Sequence, residues 1–142
     1  MRVLGVDVGV RRVGLALSDP TGTIATPLET LVRRRGKRFP LARLEEIARG
    51  HEVEHVVVGL PLDLGGGENA WCAEVRELGQ RLGERLGVDV SFVDERLTSV
   101  RAERAVRSLG LGRQRSEEKG RVDAAAAQLI LQAWLDQPGI AR

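Results

Sequence analysis

Three carboxylates in this chain stand where carboxylates are costly. Asp7 falls inside Val3-Leu4-Gly5-Val6-Asp7-Val8-Gly9, an otherwise apolar run with the character of a buried strand. Removing an ionised group from water costs roughly several kcal/mol unless a cation or hydrogen bonds compensate. Glu95 ends a second apolar strand, and Asp123 opens an alanine-rich helix. Held together, three carboxylates repel one another and need a cation. Oxygen donors with no nearby His or Cys favour Mg²⁺ or Mn²⁺ over zinc. One or two such ions would activate water and neutralise charge on a phosphodiester, a pair standing about 3.5–4 Å apart.

Each acid also has a plainer reading. Asp123 could be a helix-start residue. Glu95, within Asp94-Glu95-Arg96, could pair on the surface with Arg96 or Arg101. Asp94 and Glu95 point to opposite faces if the strand continues, so only one of them faces the site. Asp7 has the weakest alternative, because its own strand offers no partner. The combination is more specific than any member.

The elements that must position these acids follow from patterning. Residues 2–8 read as a first strand and 13–17 as a second, joined by the turn Gly9-Val10-Arg11-Arg12. Asp19-Pro20-Thr21-Gly22 fits a type I turn. Residues 23–31 read as a third strand, and Pro27 confines it to a sheet edge. Pro40 suits the first turn of a helix running to Gly50, with Leu41, Leu44, Ile47 and Ala48 on its core face. Val56-Val57-Val58-Gly59-Leu60 is a strand covered on both faces. After Gly65-Gly66-Gly67, residues Trp71, Val75, Leu78, Leu82 and Leu86 keep helical spacing. Residues 88–93 form a fifth strand, and Thr98 or Ser99 can cap a helix through Leu109. Residues 110–120 read as a polar, glycine-containing loop, and 124–135 as an apolar helix. The expected architecture is α/β: a mixed five-stranded sheet with an antiparallel meander of strands one to three, parallel pairing of strands one, four and five, and helices on both faces. Ligands gather beyond the carboxyl ends of parallel strands, where Asp7 and Glu95 fall. A helix N-terminus there would stabilise Asp123 by roughly 0.3–1 kcal/mol.

Composition bounds the rest. At 142 residues the chain is expected to form one domain over 1–142. Of its 22 basic residues all but Lys37 and Lys119 are Arg, a side chain suited to bidentate phosphate contact, although genome composition or thermal adaptation gives the same enrichment. Aromatic content is 3%, against a base-stacking platform. Cys72 is alone, which excludes a disulfide framework and reads as a buried thiol. No apolar run reaches the roughly 20 residues of a membrane span, and the chain starts on a strand rather than a signal peptide. A cytoplasmic protein without membrane partners is expected.

Several blocks carry a family resemblance: Leu4-Gly5-Val6-Asp7-Val8-Gly9 with 12–19, Val58-Gly59-Leu60-Pro61-Leu62, Asp94-Glu95-Arg96-Leu97-Thr98-Ser99, and Val122-Asp123-Ala124-Ala125-Ala126-Ala127. Together they resemble the YqgF/RuvX family over nearly the whole chain. The resemblance implies an RNase H-like fold and a metal-dependent nuclease, a hydrolase of ester bonds. For that family the implied roles are maturation of the 5′ end of pre-16S rRNA and Holliday junction resolution. It assigns Asp7, Glu95 and Asp123 to the acidic positions, Thr98 to a polar position near the substrate, and Lys119 and Arg121 to a basic segment before the last acid. The loop 63–69 departs from the family's more acidic-polar pattern.

Arg11 and Arg12 follow Asp7 closely, and Arg96, Lys119 and Arg121 flank the other acids, so these are the candidate phosphate contacts, against a solvated surface as the alternative. The loop 113–121 could close over nucleic acid. The run 33–38 is a solvated loop first and an outlying phosphate contact second. His51 and His55 are expected to be structural or exposed. The expected partner is nucleic acid: structured RNA first, branched DNA second. A monomer or weak homodimer fits, since no dimerisation stripe stands out. A non-catalytic RNA-binding assembly factor is the non-enzymatic alternative. An actin-like or sugar-kinase site would need a second domain, and no Walker-type phosphate loop is present.

Overall fold

The computed structural model describes residues 1–33, 38–63, 65–97 and 116–138. Its strands are β1 (Val3–Val8), β2 (Arg12–Ser18), β3 (Ala25–Val32), β4 (His55–Leu60) and β5 (Asp89–Asp94). Its helices are α1 (Leu41–Gly50), α2 (Ala70–Leu86) and α3 (Ser116–Leu135), with a short 3₁₀ turn at Glu95–Leu97. The sheet runs β3-β2-β1-β4-β5. β1 pairs antiparallel with β2 and parallel with β4, β2 antiparallel with β3, and β4 parallel with β5. The expected mixed sheet is therefore the observed one.

Pro27 lies in an edge strand, as its missing N–H requires. The β2–β3 register jumps there, from Leu15 opposite Glu29 to Ala16 opposite Pro27, leaving Leu28 as an extra residue. The turn at 19–22 closes with the Gly22 amide donating to the Asp19 carbonyl at 3.0 Å. The Asp19 carboxylate accepts from the amides of Ile24 and Thr23 and from the Thr21 hydroxyl, which holds it well below the usual carboxylate range.

Strand alternation divides the core in two. Leu4, Val6 and Val8 of β1 and Val56, Val58 and Leu60 of β4 face α1 and α2, where Leu44, Ile47, Val75, Leu78 and Leu82 meet them. Val3 and Val57 face α3, against Ala127, Ile130, Leu131 and Leu135. Each buried Leu, Val or Ile contributes about 1.5–3 kcal/mol relative to exposure. Asn69 caps α2 by accepting the Cys72 amide at 2.9 Å, and Gly87, at φ 68°, ends that helix in the left-handed conformation. The Cys72 thiol is buried and donates to the Pro61 carbonyl at 3.2 Å, as a structural thiol should.

α3 lies over the other face and runs against β1. Gly5 of β1 lets it sit close: a Cβ there would stand 2.7 Å from Leu131 Cβ. Two glutamines fasten it to the outer strand. Gln128 Nε2 donates to the Ala25 carbonyl at 3.0 Å, the Ala25 amide donates to Gln132 Oε1 at 2.9 Å, and Gln132 Nε2 donates to the Thr23 carbonyl at 3.0 Å. At its far end Trp134 stacks on His55, ring centroids 4.7 Å apart, and the His55 Nε2 is 2.8 Å from Ser91 Oγ. Burial lowers the His55 pKa, with the Asp89 charge opposing, and the residue is structural as expected. From Asp123 to Trp134 the helix rises about 17 Å, the length of about five strand residues, so one end of α3 reaches the carboxyl edge of β1 and the other the start of β4.

Candidate active site

Asp7 is 1% exposed and projects on the α3 face, in step with Val3 and Gly5. Its partner across the antiparallel pair is Gly14. Its level on β4 is Gly59, the rung after Val6 opposite Val58. Both neighbours of the buried carboxylate thus lack a side chain; the space at Gly14 is taken by the Asp123 backbone and that at Gly59 by Ile130 and Glu95. A Cβ on Gly14 would fall 2.1 Å from the Asp123 carbonyl oxygen, so the backbone of α3 rests on that rung. A Cβ on Gly59 would fall 3.0 Å from Glu95 Oε1 and 3.2 Å from its Cγ. Glu95 is 3% exposed, turned under the sheet edge by the 3₁₀ turn that follows β5. Asp7, Glu95 and the Asp123 backbone are therefore grouped on one face, around two glycines at the carboxyl end of the parallel strands.

Two expectations are corrected. Asp123 does not open its helix: α3 begins at Ser116, two turns earlier, so the N-terminal dipole gives Asp123 no help. Residues 116–120, expected as loop, are helical for the same reason, and 116–121 cannot close over a substrate as loop. The glycine at 120 and the charges of Glu117, Glu118 and Lys119 mask the helical continuation in the sequence. Arg96, considered as a surface partner for Glu95, bonds Asp94, and Glu95 itself is buried rather than on the surface.

The remaining candidates fall as follows. Arg11 is exposed in the β1–β2 turn and Arg12 opens β2, half-buried. Arg96 stands beside Glu95 on the 3₁₀ turn. Lys119 and Arg121 lie on α3 by backbone position, and their side chains fall outside the description. Thr98, and the expected helix of 98–109, lie outside the described residues. In the basic run, residues 34–37 also lie outside, while Arg33 covers the Phe39 ring at 4.2 Å. Sequence reasoning missed Gly14 and Gly59, although a glycine inside a strand is a signal of close backbone approach. It missed Gln128 and Gln132 too, for which a polar residue on an apolar helix face was the available sign.

The donor set suits a hard divalent cation: two buried carboxylates and a third acid, with no His or Cys among them. As the described side chains stand, no group of three His, Cys, Asp or Glu is drawn together tightly enough to hold an ion. What the fold brings to one face is the Asp7 and Glu95 side chains and the Asp123 backbone.

A mixed sheet of this order with α3 across one face defines an RNase H-like fold. The solved RuvC of Thermus thermophilus in complex with a Holliday junction substrate has the same fold, with a TM-score of 0.57 over 95% of this chain and 94% of that one at 20% identity. Sequence takes the placement further. Residues 1–137 match the family model described as "RuvX: Holliday junction resolvase", and the chain belongs to that family. Curated relatives named "Putative pre-16S rRNA nuclease" include one from Anaeromyxobacter dehalogenans (strain 2CP-C), 44% identical over 96% of this chain and 98% of its own. Another, from Moorella thermoacetica, is 42% identical over 98% of this chain and 97% of its own.

Proposed function

We propose that this chain is a divalent-metal-dependent nuclease that hydrolyses phosphodiester bonds in structured RNA, trimming the 5′ end of pre-16S rRNA. The observation that carries the reading is the grouping of Asp7, Glu95 and Asp123 about Gly14 and Gly59. Family membership and the names of the relatives support the reaction class and the RNA substrate. Asp7, Glu95 and Asp123 would hold Mg²⁺ or Mn²⁺, which when bound supplies an activated water and charge neutralisation at the scissile phosphate. The chain's own contribution is to keep two of those carboxylates dry and fixed by strand and turn geometry. Arg11, Arg12, Arg96, Thr98, Lys119 and Arg121 would hold flanking phosphates, contacts that are salt-sensitive and largely blind to sequence. No described helix is long and apolar enough to cross a membrane.

A second substrate has its own support. The family description and the RuvC-like fold both point to branched DNA, which the same acids would serve. A resolvase makes two symmetric cuts and gains from a homodimer. A cleavage assay with a pre-16S leader transcript and a four-way DNA junction, each with Mg²⁺ or Mn²⁺, separates the substrates. Wild type is expected to cut the RNA, and Asp7→Asn to lose cutting by at least about 10³-fold while retaining its fold. Cutting of the junction alone would move the assignment to DNA. An Asp7→Asn variant cutting at the wild-type rate would defeat the nuclease mechanism.

A further inference from the structure

Asp94 and the Gly65–Gly67 stretch take no part in the acidic group, yet they meet at one residue, Arg96. The Arg96 Nε donates to both Asp94 oxygens at 3.0 Å, and its Nη2 donates to Oδ2 at 2.6 Å. The Arg96 amide also donates to Asp94 Oδ1, at 2.9 Å. One carboxylate thus holds both the backbone and the head of a residue two positions on. The β4–α2 loop completes the seat. It is closed on itself by the Gly66 amide donating to the Asp63 carbonyl at 2.8 Å and the Asp63 amide donating to the Gly67 carbonyl at 3.0 Å. Asn69 Nδ2 fastens Asp63 Oδ1 at 2.9 Å. At its apex Gly66 has φ +90°, and a Cβ there would stand 3.2 Å from Arg96 Nη2 and 3.3 Å from Nη1. Only glycine takes that backbone angle readily and leaves the guanidinium its place.

The placement gives this seat a use. Val93 packs on the α3 side, so Asp94, its neighbour in the strand, faces the α2 side. Glu95 then turns to the acids, while the Arg96 head stays with Asp94 on the α2 side of the same strand end. An exposed ion pair adds little stability, so what this geometry fixes is direction. A free arginine gives up rotamer freedom when it grips a phosphate, and one already held side-on gives up less.

We propose that Asp94 and the Gly66 turn are positioning residues that pre-orient Arg96 to grip a substrate phosphate flanking the bond cleaved at the acidic group. This rests on the nuclease reading above, and the test separates the two. Binding of the pre-16S leader transcript would be measured at several KCl concentrations, with EDTA present to stop cleavage. Charge alone predicts that Asp94→Ala, which removes a negative group, binds more tightly. The seat predicts the reverse: binding several-fold weaker, with the slope of log K against log salt reduced by about 1, as in Arg96→Ala. The double variant is expected to bind no worse than Arg96→Ala. Tighter or unchanged binding by Asp94→Ala, or additive losses in the double variant, would overturn the proposal. Gly66→Ala is expected to show the same reduced slope, and a wild-type slope would overturn the turn's part. If Asp94→Ala does not fold, Arg96→Lys carries the test: it keeps the charge but cannot be held side-on, and wild-type binding by it would equally sink the seat. Wild type failing to bind the transcript even with Ca²⁺ in place of EDTA would instead refute the RNA-nuclease reading.

Discussion

At the scale of single residues, the cost of a buried charge is the signal that carries most. Asp7 is 1% exposed in the middle of β1, with Glu95 across Gly59 from it. Such an arrangement is poor for stability and suited to a cation, the trade expected at a functional site. Replacing Asp7 with Asn removes one of the crowded charges. In metal-free buffer Asp7→Asn is expected to be more stable than wild type by about 1 kcal/mol, on the order of 3 °C in melting temperature. Added Mg²⁺ should raise the wild-type melting temperature and leave that of the variant nearly unchanged. A variant that melts lower than wild type without metal would make Asp7 a structural group. The anomaly of Asp7 was legible from seven letters of sequence, because an acid in an apolar run has few explanations. Glu95 was legible only as a member of the set, since Arg96 offered a surface partner that the structure gives to Asp94.

At the scale of elements, three glycines on one sheet face decide how near α3 can come. Gly5, Gly14 and Gly59 each meet an atom that a methyl group would crowd, Leu131 Cβ, the Asp123 carbonyl oxygen and Ile130 Cδ1 respectively. The contact at Gly14 is with backbone, which cannot rotate away. Gly14→Ala is therefore expected to destabilise the chain by about 1–3 kcal/mol, the cost of overpacking, and to carry Asp123 off its rung. Thermal denaturation together with the leader-cleavage assay checks this. A variant with wild-type stability and rate would show that α3 does not depend on that contact. Strand order was readable from strand patterning and Pro27, because helical crossovers force parallel pairing and proline demands an edge. The start of α3 was not. Ser116 to Gly120 is polar and carries a glycine, so its helicity has no apolar stripe to announce it. The glutamines that bind α3 to Ala25 and Thr23 act over more than a hundred residues of chain, a distance that local patterning does not span.

At the scale of the whole molecule, the sheet separates two tasks. One face, under α1 and α2, is a plain apolar core, and the other carries α3 and the acids. The net charge is only +2, so attraction to a polyanion rests on where the arginines stand rather than on bulk charge. The three positions come from β1, the turn after β5 and α3, which only the completed fold brings to one face of the sheet. Their joint function is best tested without reference to any substrate. Manganese binding, followed by titration calorimetry or by the electron paramagnetic resonance of the free ion, would be measured for wild type, Asp7→Asn, Glu95→Gln and Asp123→Asn. Wild type is expected to bind Mn²⁺, with each substitution weakening it by about tenfold or more, equivalent to about 1.4 kcal/mol. Wild-type affinity in any one of the three variants, or no binding by wild type, would contradict a cation shared by these residues.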